Sequence, residues 1–275
     1  MRISTLLVAA AILLASAYVQ AAGKADPGHA ATTKPAASPG TSHAVKREPA
    51  VFLAWHAPWG TPGARETATW ACDDTLAADT LYLTFDPGDE IASLIGVDAA
   101  LVFHAAPGDT LGSFWDFNRQ GANPFNLRIE YDPPPEGAPG PWRLVGQGGV
   151  RYHKRGDTGR LDLQYFVPAS QGGPLATGVR YFLARVAIRV RRPQLGGCHQ
   201  PVCVDFDHVQ LSHTNGDRWI NTGQRFASCN SPGGAVCAEF RKRPPTEEPM
   251  RFAWPEPPGQ PAGGAPAAPK DSTRR

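Results

Sequence analysis

The side chains that could do chemistry in this sequence are carboxylates, one Cys-His neighbour pair, tryptophans and arginines. Hydrolysis of a glycosidic bond needs two carboxylates facing each other at a fixed separation. Asp73, Asp74, Asp116, Glu130, Asp162, Asp205 and Asp207 are the candidates. Asp205 and Asp207 stand two residues apart, so an extended chain puts both on one face. The pattern supplies no opposing partner, and acids on an outer strand are the ordinary expectation. Cys198 precedes His199, but neighbours on an extended chain point to opposite sides, which does not suit a nucleophile and its base. The sequence also lacks a Gly-x-Ser-x-Gly elbow leading into a helix. No catalytic residue is assigned, and the chain is read as no enzyme.

Metal binding fares similarly. Cys198, His199 and Cys203 do not have the Cys-x2-Cys or His-x3-His spacing of zinc sites. Asp86, Asp89 and Glu90 gather hard oxygen ligands suited to calcium, yet Asp86-Pro87-Gly88-Asp89 reads first as a tight turn without an ion. No metal and no cofactor is expected. Aromatic rings offer more, because the C–H faces of sugars stack on exposed rings while polar neighbours fix the hydroxyls. Trp59, Trp115, Trp142 and Trp219 are the candidate ligand-binding residues. Large aromatics are mostly buried, and of these four Trp59 and Trp142 are expected to be the most exposed. Two basic sets, Arg185 with Arg189 and Arg191, and Arg151 with His153 and Arg155, could meet an acidic partner or an anionic polysaccharide. A solvated outer sheet face explains both sets as well.

The elements that position these residues read as strands. Leu81, Leu83 and Phe85 alternate with Thr80, Tyr82 and Thr84, and Ile95, Val97, Ala99, Leu101 and Phe103 share the face of a longer strand. Leu127 to Tyr131, Leu161 to Val167, and Phe182 to Val190 repeat the period of two. Val202, Val204 and Phe206 lie in one phase and Val209 and Leu211 in the other, which predicts a β-bulge near Asp207-His208. Shorter strands are expected at 50–55, 112–117, 149–153 and 217–228, and no segment reads as an amphipathic helix. Eight to ten strands with Gly- and Pro-rich connections predict an all-β, two-sheet sandwich of jelly-roll type.

Around this domain, placed at 49–243, lie segments of other character. Arg2, the apolar run Leu6 to Ala17 and Val19-Gln20-Ala21 form the three parts of a signal peptide spanning 1–21, cleaved after Ala21. The apolar run is too short to cross a membrane. Residues 22–48 and 244–275 are Ala/Pro- and Pro/Gly-rich and are read as disordered linkers, with Phe252 and Trp254 the large apolar interruptions of the tail. A net charge of +2 with 19% charged residues gives no reason to expect nucleic acid. Secretion implies an oxidising compartment for Cys72, Cys198, Cys203, Cys229 and Cys237. Cys198 with Cys203 and Cys229 with Cys237 bracket short turns and are the expected disulfides. Cys72 is then left over, although its pairing with Cys237 or another partner stays open.

The succession of elements resembles a known family. Asp86-Pro87-Gly88-Asp89 leads into the strand Ile91 to His104; Gly159 to Tyr165, Leu175-Ala176-Thr177-Gly178 and the strand Tyr181 to Val190 follow. That order, over roughly 76–225, resembles the cohesin-like sandwich and the carbohydrate-binding modules of the same architecture. The cysteines and the Pro-rich loop 132–141 depart from it. The resemblance implies the architecture and a binding role, but no individual binding residue. The reading is a secreted, monomeric, non-catalytic module that binds a polysaccharide or an extracellular partner protein. The alternatives are a structural or assembly component of the cell surface and a jelly-roll hydrolase.

Overall fold

The computed structural model describes residues 47–142, 146–192 and 194–242. The expected signal peptide, all but the last two residues of the first linker, and the tail 244–275 lie outside the described residues. In chain order the strands are β1 (Ala50–Trp55), β2 (Thr67–Ala68), β3 (Ala78–Asp86), β4 (Ile91–Ala105) and β5 (Leu127–Glu130). β6 (Gln147–Arg155), β7 (Thr158–Phe166), β8 (Gly173–Leu175) and β9 (Tyr181–Arg189) follow. The last are β10 (Val202–His213), β11 (Gly216–Ile220), β12 (Gly223–Gln224) and β13 (Phe226–Cys229). One sheet has five strands in the order β12-β1-β3-β9-β5. The other has eight, in the order β2-β13-β10-β4-β7-β6, with β11 paired to β10 and β8 to β4. The fold is therefore the all-β, two-sheet sandwich that the alternating pattern predicts, and the strand count is higher because 217–228 breaks into three pieces and the short strands β2 and β8 are added.

Period-two alternation builds the core. Leu53, Leu83, Val186, Leu101, Leu161 and Val204 come from both sheets and are wholly or almost wholly buried in one cluster between them. At about 25 cal/mol per Å2, each such side chain stabilises the fold by roughly 1.5–3 kcal/mol. The ladder between β4 and β10 slips between Phe206 and His208, so Asp207 is the bulged residue. That slip lets Phe206 and Val209 face the core from opposite phases. A second slip pairs Ser212 with Gly96 and His213 with Leu94, and so turns Leu94 rather than Ile95 inward.

The segment 112–117 is not a strand. Ser113–Trp115 forms a 3-10 turn in which Phe114 and Trp115 are both buried. The turn places both rings on the interior side of the chain, with Phe114 and Trp115 wholly buried. Trp115 is a core residue, correcting its place among the ligand-binding candidates. Its ring lies 5.2 Å from that of Trp70 and 5.8 Å from that of Phe103, and its Nε1 donates to the Gly197 carbonyl at 2.9 Å.

The disulfides differ from the expected pairs. Cys72 bonds Cys198, Cys203 bonds Cys237, and Cys229 is a free, buried thiol. The reason lies in the faces of the strands. Val202 and Val204 point into the core, so Cys203 between them points outward, away from the core-side Cys198. Cys229 lies directly opposite Val202 and shares its inward face, whereas Cys237 packs on the outside with Cys203. A bridge across either short turn would have to pass through the sheet.

Candidate functional site

The outer face of the eight-stranded sheet is formed by the polar phase of its strands. Register places Gln164 of β7, Asp98 of β4, Gln210 of β10 and Trp219 of β11 side by side in one row. The next row holds Phe166, Gly96, Ser212 and Asp217. Phe166 occupies the phase that Arg160, Asp162 and Gln164 fill with polar groups, and its ring lies so close over Gly96 that a Cβ there would clash at 2.4 Å. Trp219 is 37% exposed and Phe166 39%, while three interstrand steps of about 4.8 Å separate their strands by roughly 14 Å. Two exposed rings thus flank hydrogen-bonding amides and a carboxylate.

A second polar layer fixes this row. The Trp219 ring packs at a tilt against His208, 4.9 Å between centroids, His208 Nδ1 lies 3.0 Å from Asp207, and Asp207 accepts from Arg160 at 3.2 Å. Arg160 Nε also donates to Asp162 at 2.7 Å, and Gln210 donates to Asp217. Arg225 holds Asp205 through two bonds of 2.8 Å. Asp162, Asp205 and His208 are each only 8% exposed, although they lie on an outer face. Charges paired this tightly keep a fixed pattern. Oδ2 of Asp162 has no hydrogen-bond partner among the described residues, which leaves a buried acceptor on this face. Burial pushes the Asp98 carboxyl up, against the Gln164 hydrogen bond and the charge of His208. Burial acts the same way on Asp207, but the hydrogen bond and charge of His208, together with Arg160, hold its carboxyl below the ordinary range.

One end of the face is covered. The 3-10 turns Pro232–Cys237 and Phe240–Lys242 lie over the start of β10, pinned by the Cys203–Cys237 bond, and Phe240 stacks on His104 at 4.3 Å. The row from Gln164 to Trp219 lies beyond the strand positions that these turns pack against.

The other sequence candidates fall elsewhere. Trp59 is half-buried on the far side of the sandwich, its carbonyl accepting from Arg180, whose guanidinium sits 3.9 Å above Phe52. Trp142 is half-buried too, its ring 4.7 Å from that of Tyr165. Trp219, not Trp59 or Trp142, is the most exposed of the four, and they do not form one platform. The carboxylates considered for hydrolysis are engaged singly: Glu130 by Arg128 and Arg185, Asp116 by Asn118, and Asp74 by the Leu76 amide. Asp86 accepts from the Gly88 amide at 2.9 Å, as an Asp-Pro-Gly-Asp turn requires, and no metal-ligating cluster occurs among the described residues. Phe166 was not singled out from sequence; the available signal was an aromatic in the polar phase of β7.

Among solved structures, the chain is similar to the cohesin module of a Clostridium perfringens ATCC13124 family 33 glycoside hydrolase, at 7% identity and a TM-score of 0.33, covering 66% of this chain and 93% of that one. A type II cohesin domain from the cellulosome of Acetivibrio cellulolyticus is similar at 13% identity and a TM-score of 0.27, covering 67% of this chain and 96% of that one. A type II cohesin–X-dockerin complex from the same organism gives 10% identity, a TM-score of 0.28, and coverage of 64% and 93%. No protein-family model and no curated protein matches the chain. At these identities and TM-scores, any function has to be read from this chain's own residues.

Proposed function

We propose that this chain is a secreted, non-catalytic module that binds a polysaccharide across the outer face of its eight-stranded sheet. The observation that carries this reading is the row Gln164, Asp98, Gln210 and Trp219, with Phe166 beside it on an open sheet face. Trp219 and Phe166 supply stacking surfaces for sugar rings. The two amides and Asp98 supply donors and acceptors for hydroxyls. Asp74, Asp116, Glu130, Asp162, Asp205 and Asp207 are each held by a neighbouring group, which suits recognition better than proton transfer. Two disulfides, and the absence from the described residues of a helix long and apolar enough to cross a membrane, are consistent with export.

A second reading, an extracellular partner protein, is favoured by β6, whose outer edge pairs with no other strand among the described residues and can accept one. Pull-down on insoluble polysaccharides, followed by titration with soluble fragments, separates the two. Trp219→Ala and Phe166→Ala should each weaken polysaccharide binding about tenfold, the scale of one lost stacking contact. Retention of full affinity by both variants would overturn the assignment of this face.

A further inference from the structure

The five-stranded sheet ends in β5 and the eight-stranded sheet in β6, and a cleft of about 370 Å3 opens between these terminal strands and the loop preceding β5. Its lining includes Phe117, Leu127 and Val150 as apolar surface, with Asn118, Arg119 and Arg151 as polar groups. A neighbouring cleft of about 390 Å3 shares Asn118 and Arg119 with it. Arg119 therefore stands where the two meet. It is exposed and has no hydrogen-bond or ion-pair partner among the described residues. The carboxylate in the second cleft, Asp116, already accepts from Asn118 at 2.9 Å. Basic side chains continue along both strands with Arg128 on β5 and His153, Lys154 and Arg155 on β6, against Glu130, which Arg128 and Arg185 hold.

The cleft also continues the proposed binding row. Gln164 pairs across to Gly149 on β6, one residue before the Val150 and Arg151 that line the cleft. A chain lying along Trp219, Gln210, Asp98 and Gln164 leaves the sheet at this edge.

We propose that the cleft beneath Arg119 and Arg151 binds the carboxylate of an acidic sugar, so that the polysaccharide recognised is a polyuronate or a similarly carboxylated chain. This rests on the polysaccharide reading above. A planar guanidinium matches a carboxylate with two parallel hydrogen bonds, and Phe117, Leu127 and Val150 fit the apolar side of a sugar ring. Arg119 has no competing acid to displace, so its side chain is available to the ligand.

The test uses the secreted protein and calorimetric titration with a uronic-acid oligosaccharide, its carboxyl-reduced neutral counterpart, and poly-glutamate. The acidic oligosaccharide should bind at least about tenfold tighter than the reduced one, the scale of one lost charge-assisted contact. Arg119→Ala should remove most of that preference, and Arg119→Glu should reverse it. Both variants should unfold at the wild-type temperature, because Arg119 holds nothing in the fold. Equal binding of the acidic and reduced oligosaccharides, with Trp219→Ala weakening both, would overturn the carboxylate site while leaving the polysaccharide reading intact. Binding of poly-glutamate alone, lost in Arg119→Glu, would make the occupant an acidic peptide and overturn both readings. No binding of any of the three would overturn the carboxylate site and leave the polysaccharide reading to the pull-down above.

Discussion

Asp98 and Asp207 sit in one network on the outer face, yet their surroundings drive their titrations apart. Burial raises Asp98, so the folded protein holds its proton more tightly than the unfolded chain, and the ionised form costs stability at neutral pH. Asp98→Asn should therefore raise the melting temperature at pH 7, with the gain shrinking as pH falls towards the folded-state value. The same change should weaken polysaccharide binding, because Asp98 is central to the row. Asp207 is lowered by His208 and Arg160 in spite of burial, so its contribution is complete above the usual carboxylate range and fades as pH falls through its folded-state value. Asp207→Asn should lower the melting temperature at pH 7 and flatten the acid side of the stability curve. Thermal melts of both variants between pH 3 and pH 7 check the two signs; shifts in the same direction would contradict them. This opposition was not legible in the sequence. The spacing of Asp205, Asp207 and Asp162 put acids on outer faces, but the partners that fix their charge arrive from β7 and the segment before β13.

At the scale of the elements, local alternation was sufficient to place most strands, because period two fixes which side chains meet the core wherever one face is wet. The bulge at Asp207 was legible for the same reason, since a change of phase inside an apolar run has few other causes. What alternation could not supply was strand neighbourhood. Cys72 meets Cys198 across a separation of 126 residues, while closeness in sequence pointed to turns whose cysteines face opposite sides of the sheet. Trp115 was misread because its segment is a 3-10 turn, where adjacent rings share the interior. The Cys203–Cys237 bond has its own consequence: it pins the turns that cover one end of the outer sheet face. A Cys203→Ser, Cys237→Ser double variant should lose about 4 kcal/mol by the loop-entropy model, as read in urea unfolding. Hydrogen exchange in 232–242 should rise well above that in β4 and β10. Unchanged protection of that segment would show that Phe240 and Val236 hold it without the bond.

For the whole molecule, cross-linking and compartment are one question. The Cys72–Cys198 bond ties the loop before β3 to the segment entering β10, and closes a far longer span of chain than Cys203–Cys237. The same model assigns it about 5 kcal/mol, which is comparable with the whole net stability of a typical domain. Asn230 reinforces the junction, donating to the Cys198 carbonyl at 2.7 Å and accepting from the Trp70 amide at 3.0 Å. Loss of both bonds in a reducing compartment should leave the sandwich largely unfolded, and the amino-terminal pattern Arg2, Leu6 to Ala17 and Val19-Gln20-Ala21 would carry the chain away from one. The full chain directed to an oxidising compartment should be recovered beginning at Ala22, with peptide mapping returning Cys72–Cys198 and Cys203–Cys237. Cys229 should resist alkylation until denaturant is added, because burial both shields its thiol and pushes its pKa up. The same chain made from residue 22 in a reducing cytosol should expose all five thiols to the reagent without denaturant. Native-like protection of Cys229 there would mean that the two sheets hold together through their shared core alone, and that folding does not depend on an oxidising compartment.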